Sequence, residues 1–322
     1  MPTVTIPARS AVDAVFAVLF APAGDKPPDA DSLRPAIVSW RDRHLRDPLR
    51  AGVAMAQDNG WVSLQVARAV NLSIPRMELL RQVGAGEFEE RILEVATHAV
   101  VCGCPGINIR PRIGLWSALA TALAVADRLQ GIVFDPESRS ILHMDRGIES
   151  FSGKGTISVA QHIMIPFSAG QDGGLGWLAT RGMGKFGLPD IELRGVPPNL
   201  DRLNFFMNSV AQLLLEAAFR RSEGIDYEAG EIEADSVELP DEYEVQLPDE
   251  LEIDDVAVAR AHGRVPHAGS PESAVARVGL RFDPAKRNHH PPMIRLVAPE
   301  GEPDQEVWLN RIDQTLGTGA RT

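Results

Sequence analysis

Residues 98–135 read HAVVCGCPGINIRPRIGLWSALATALAVADRLQGIVFD. The opening His98–Cys104 is short, apolar and β-branched, the pattern of a buried strand. Pro111 suits the first turn of a helix, where its missing N–H costs nothing. From there to Leu129, apolar side chains fall on nearly every face: Ile113, Leu115, Trp116, Leu119, Leu123 and Val125, with alanines between. A helix apolar all round is buried on several sides. Gly131 ends it, and Ile132, Val133 and Phe134 resume as a strand. This strand–helix–strand unit predicts an α+β protein: a mixed or mostly antiparallel sheet with helices packed on one face.

Upstream, residues 14–20 form an apolar run that reads as the first strand. Asp13 before it argues against the core of a secretory signal. The loop at 23–29, with Gly24, Pro27 and Pro28, is a clear break. Asp31 or Ser32 starts a helix whose Leu33, Ile37 and Trp40 share one face. Asn59-Gly60 lies between apolar runs and reads as a hairpin turn. Pro75 opens a helix that the pattern carries past Gly84 and Gly86 to Phe88, Ile92 and Val95.

Downstream, residues 156–198 read as β-rich. One strand is expected through Ile157, Val159, His162 and Met164, and others at 175–179 and 191–193. Asn199 is placed to cap a helix in which Leu203, Phe206, Met207, Val210, Leu213, Leu214 and Ala217 follow the 3.6-residue period. Gly224 is its stop. Strands at 275–282 and 294–297 and a helix at 307–316 close the chain. The organisation expected is an α+β half at 1–150, a β-rich segment with a long helix at 151–222, an acidic insert at 223–262, and C-terminal strands with a short helix at 263–322.

The formal net charge of −12 is concentrated. Of 44 acidic and 32 basic residues, 15 acidic and no basic ones fall within 223–255, so the remainder is close to neutral. No basic stripe of the kind that binds nucleic acid is visible, and no nucleic-acid partner is expected. No apolar run approaches the roughly 18 residues that span a bilayer, so no membrane partner is expected either. The acidic segment repeats itself: Val237-Glu-Leu-Pro-Asp-Glu-Tyr-Glu is followed by Val245-Gln-Leu-Pro-Asp-Glu-Leu-Glu. Apolar residues at fixed places distinguish it from a solvating tail. A surface insert contacting a protein with a basic surface is the partner this pattern predicts.

Cys102 and Cys104 are the only cysteines. At i and i+2 of a strand they share a face, and two packed thiols in a reducing, cytoplasmic setting is the simplest reading. No quartet of zinc ligands accompanies them, so neither metal nor cofactor is expected. Gly182-Met-Gly184-Lys-Phe-Gly187 matches the spacing of a dinucleotide loop, but Leu188-Pro189-Asp190 reads as turn and strand where that fold needs a helix. Ser152-Gly-Lys-Gly-Thr156 lacks the order of a phosphate loop. His289-His290-Pro291-Pro292 reads as an exposed loop. No G-x-S-x-G, H-E-x-x-H or calcium-loop pattern occurs.

The densest signature is WLATRGMGKFGLPDIEL at 177–193. Its Gly182-Met183, Phe186-Gly187 and Pro189-acidic steps resemble those of uncharacterised bacterial domain families of unknown function. The resemblance spans about residues 12–215 and implies no reaction and no catalytic residue. The expected function is that of a non-catalytic intracellular interaction or accessory protein. The rival is an enzyme of unrecognised type with a pocket near the Arg181–Glu192 loop, His162 contributing. Arg181, Lys185, Phe186, Glu192 and Tyr243 are the candidate binding residues.

Overall fold

The computed structural model describes residues 3–7, 12–22, 26–82, 86–106, 111–142, 158–170, 174–200, 202–222, 236–240, 242–246, 275–284 and 291–318. They form two units, one of Ala11–His162 and one of Met1–Ser10 with Ile163–Thr322. Strand β1 (Thr3–Pro7) therefore belongs with the C-terminal unit, and the strand expected first, Ala14–Phe20, is β2.

The first unit continues with α1 (Arg34–His44), α2 (Leu49–Asp58), β3 (Ser63–Arg68), α3 (Met77–Gln82), α4 (Glu87–Val95), β4 (His98–Cys104), α5 (Pro111–Leu129), β5 (Ile132–Asp135) and β6 (Ser140–Leu142). Its sheet has the order β3-β4-β2-β5-β6, with every pair antiparallel. Strand β2 sits in the middle because both of its faces are apolar. Since β4 and β5 both oppose β2, they run parallel to each other, and α5 is the crossover between them. Directly opposed residues share a face. One face therefore stacks Leu19 with Ala99 and Ile132, and Ala17 with Phe134. It is covered from the α3–α4 side by Leu80, Met77, Ile92 and Leu93. The other face, with Phe16, Val18, Val100 and Cys102, lies under α5, which packs in turn on α1 and α2. That double contact explains a helix with Trp116, Leu119, Leu123 and Val125 all buried.

The α+β class and the mostly antiparallel pairing hold. In this sheet helices lie on both faces, because the two faces of β2 are equally apolar. Asn59-Gly60 is not a hairpin. Gly60 has φ +69° and ends α2, with its N–H donating to Gln57 O and that of Trp61 to Ala56 O, the left-handed stop of a helix. The helix expected to run from Pro75 to Val95 is two helices. Gly86 is the N-cap of α4, with its N–H donating to Glu89 Oε2 at 3.0 Å. Residues 159–161 form a 3-10 turn rather than a strand, and Met164 makes a single bridge to Arg181. Ile157 lies outside the described residues.

The second unit adds β7 (Phe167–Ser168), β8 (Gly176–Ala179), β9 (Asp190–Val196), α6 (Leu203–Ser222), β10 (Ser236–Pro240), β11 (Glu242–Gln246), β12 (Val275–Asp283), β13 (Met293–Val297) and α7 (Gln305–Thr318). Its six-stranded sheet runs β11-β12-β13-β9-β8-β7, with β13–β9 the parallel pair. Here helices cover one face. Phe206 of α6 meets Trp308 of α7 edge-on, centroids 5.8 Å apart, above the fully buried Ile191, Leu193, Ile294, Leu296 and Val278. Asn199 is not the cap of α6. It sits beside the turn in which Leu200 N donates to Pro197 O, too far upstream of Leu203. The first copy of the acidic repeat is folded. Strand β10 pairs antiparallel with β1 from Ser236–Pro7 to Pro240–Thr3. Strand β11 pairs with β12 and brings Val245 opposite Ala276. Pro240 closes the β10 ladder at its end, where a missing N–H is tolerated. Val245 and Gln246 of β11 open the second copy, and the rest of it, Pro248 included, lies outside the described residues.

Candidate functional site

The signature at 177–193 spans β8, a loop and β9, so the candidate site is a strand–loop–strand. Thr180 N donates to Ile191 O at 2.8 Å, which continues the ladder past β8. The chain then turns twice in the left-handed region, at Gly182 (φ +110°) and Gly187 (φ +80°), around a 3-10 turn at Met183–Phe186. Only glycine takes those angles at little cost. No helix follows, so no helix N-terminus is presented to a pyrophosphate here.

Asp190 organises the loop. Its Oδ1 accepts from Thr180 Oγ1 at 3.0 Å and from Met183 N at 3.1 Å. Thr180 Oγ1 accepts in turn from Ile191 N at 2.7 Å. Burial holds the Asp190 carboxyl above the ordinary carboxylate range, against the opposing pull of its Met183 and Thr180 hydrogen bonds and of Lys185 and Arg181. Arg181 is exposed, while Lys185 and Phe186 are buried, with Lys185 Nζ 6.0 Å from the Phe186 ring centroid. Phe186 thus packs inward and offers no ring to an outside ligand. Its apolar size makes that the better use of the side chain.

Glu192 belongs to a different arrangement, on the face of the six-stranded sheet away from α6 and α7. Register places Glu192 beside Arg295, and Arg295 beside Arg281. Glu192 Oε2 accepts from Arg194 Nε at 2.8 Å and lies 3.6 Å from Arg295 Nη2. Arg295 Nη2 reaches Asp283 Oδ2 at 2.5 Å, and Arg281 Nε lies 3.8 Å from Asp283 Oδ1. The carboxylates sit low and the outer guanidinium groups face water: Glu192 is 12% exposed, Arg281 71%. Farther along, Glu242 takes Arg277 and the N–H of Glu300 (2.7 Å), and these two donors hold its carboxyl below the ordinary range.

The structure therefore gathers Arg181, Lys185 and Phe186 in one loop and carries Glu192 onto the adjoining strand. Tyr243 stands apart on β11, beyond β13 and β12, opposite Val278. Sequence reasoning missed Arg281, Asp283 and Arg295. The available signal was the alternation of charged with apolar residues along β9, β12 and β13, which sets one polar face against one buried face.

Cys102 and Cys104 point inward and are buried as free thiols. Burial pushes Cys102 far up, and burial with the nearby Asp13 charge pushes Cys104 up to about 11. His162 is buried at the end of the 3-10 turn in the first unit. Among the described residues no cluster of three or more His, Cys, Asp or Glu is placed to hold a metal, and no helix is long and apolar enough to cross a membrane. His289-His290 and the stretch 152–156 lie outside the described residues. No family model matches the chain, and neither a curated protein nor a solved structure matches it.

Proposed function

We propose that this is a non-catalytic interaction or accessory protein of a reducing, cytoplasmic compartment, and that its acidic insert engages a partner with a basic surface. The observation that supports this reading is the way the insert is anchored. Its first repeat, with the Val245 that opens the second, is woven into two ladders, with β1 and with β12, and Val245 is buried. Anchoring fixes where the flanking acids at 223–235 and 247–255 start from, which raises their effective concentration beside one patch of the fold. Val245 is then a foot in the body rather than the contact itself, and the charges at 223–235 and 247–255 are left for the partner.

Affinity capture from native extract tests it, comparing the wild type with a chain in which Asp249, Glu250, Glu252, Asp254 and Asp255 become Asn or Gln. Partners held by the insert should be lost from the neutralised chain and released from the wild type as ionic strength rises, because salt shortens the range of the attraction. An unchanged set of partners, indifferent to salt, would remove the proposal. The rival reading is an enzyme with a pocket near the Arg181–Glu192 loop, where Asp190 is a half-buried carboxyl beside two cations. Its hydrogen bonds to Thr180 and Met183 already give that carboxyl a structural task.

A further inference from the structure

Strand β3 is an edge of the five-stranded sheet and, among the described residues, pairs with β4 alone. Its outer row of N–H and C=O groups is a template for another strand. Proteins ordinarily blunt such edges with proline, a bulge, an inward charge or extreme shortness. The opposite edge, β6, is short, at three residues. Strand β3 uses none of these four devices, and the nearest cover among the described residues is the 3-10 turn Ala30–Leu33 beside it. It reads SLQVAR, pairs with β4 without a register shift, and carries its single charge, Arg68, at the last position. Gln65 is exposed, Leu64 and Val66 are half-buried, and Val70 just beyond the strand is 86% exposed.

We propose that β3 is a dimerisation edge, and that β3 of a second copy adds to it antiparallel across a two-fold axis at Gln65. The register follows from the faces. A slip of one residue would carry every side chain to the wrong side, so Leu64 and Val66 must oppose residues of their own face. An axis at Leu64, Gln65 or Val66 would each do this. One at Leu64 pairs only Ser63–Gln65, and one at Val66 sets Leu64 against Arg68, which leaves Gln65. Leu64 then opposes Val66 of the second copy, Ser63 opposes Ala67, and the two Gln65 amides meet on the axis. Apolar faces apolar and small faces small, so the edge is complementary to itself, as a two-fold interface requires. The resulting structure is one continuous sheet with β3 and its copy at the centre. This inference is independent of the acidic insert.

Sedimentation equilibrium on the full chain tests it, with Gln65→Lys and Gln65→Glu. Gln65 is exposed, and at protein concentrations low enough to keep the wild type monomeric, association adds nothing to stability. Both variants should melt like the wild type there, which separates lost association from lost folding. Each places like charges directly across the axis, which is destabilising. The wild type should dimerise, each variant should associate several-fold more weakly, and an equimolar mixture of the two should recover the wild-type constant as a heterodimer. A monomeric wild type, a dimer indifferent to both substitutions, or a mixture no tighter than its components would each overturn the proposal.

Discussion

Asp190 carries the clearest consequence at the scale of a single residue. Its carboxyl is raised in the folded state by burial, so ionising it is costlier there than in the unfolded chain. The sign follows: this group's stabilising contribution is fully present below the unfolded value of about 4 and is lost as pH rises through the folded one. Asp190→Asn keeps an oxygen for Thr180 and Met183 and removes the ionisation. Thermal melts should therefore show the wild type losing ground to the variant as pH rises from acid to neutral, and a constant difference would refute this. Asp190→Ala leaves two buried donors without an acceptor and should cost about 1–3 kcal/mol. Cys102 and Cys104 make a second case. With both thiols buried and raised, the native protein should resist alkylation at pH 8 and label fully only when unfolded, because the thiolate is the reactive form. Fast labelling of the folded chain would show that the β4 face opens to solvent.

Among the elements, those whose apolar residues serve a local period were legible. Strands β2 and β4, helices α5 and α7 and strands β12 and β13 lie within a residue or two of where the pattern puts them, while α6 starts at Leu203, downstream of the expected cap at Asn199. Helix α2 was lost because Asn59-Gly60 suits both a hairpin and a helix stop, and the preceding Leu49–Asp58 is rich in alanine and glycine. The β1–β10 ladder was invisible, since nothing local in Thr3–Pro7 names its partner. The candidate site divides the same way. The glycine turns around Lys185 are written in the residues, whereas the Glu192–Arg295–Asp283 row exists only once three strands are in register. For α6, the contact that matters is Phe206 against Trp308. Phe206→Ala should destabilise by about 3–5 kcal/mol, the usual cost of deleting a buried aromatic, and a melt identical to wild type would show that α6 does not pack on α7.

For the whole molecule, the division of the chain is itself testable. Residues 11–162 contain a complete five-stranded sheet and both of its helical layers. Produced alone, this fragment should melt in one cooperative transition, and a broad, non-cooperative melt would show that the unit depends on the remainder. Residues 163–322 are in a different position, since they lack β1 and its fully buried Ile6. The segment 236–240 should exchange its amide hydrogens faster in that fragment than in the intact protein.

The β1–β10 ladder also sets a timetable. Contacts between distant parts of a chain form late, because loop closure must precede the gain, and domains emerging from the ribosome fold from the N-terminal side first. The unit at 11–162 has all of its strands as soon as residue 142 has emerged. Strand β1 is synthesised before any of them, yet its partner arrives only with residues 236–240. Until residues 236–240 are made, β1 lacks the strand it pairs with among the described residues, and it stays open to chaperones and to neighbouring nascent chains until the acidic repeat closes its ladder.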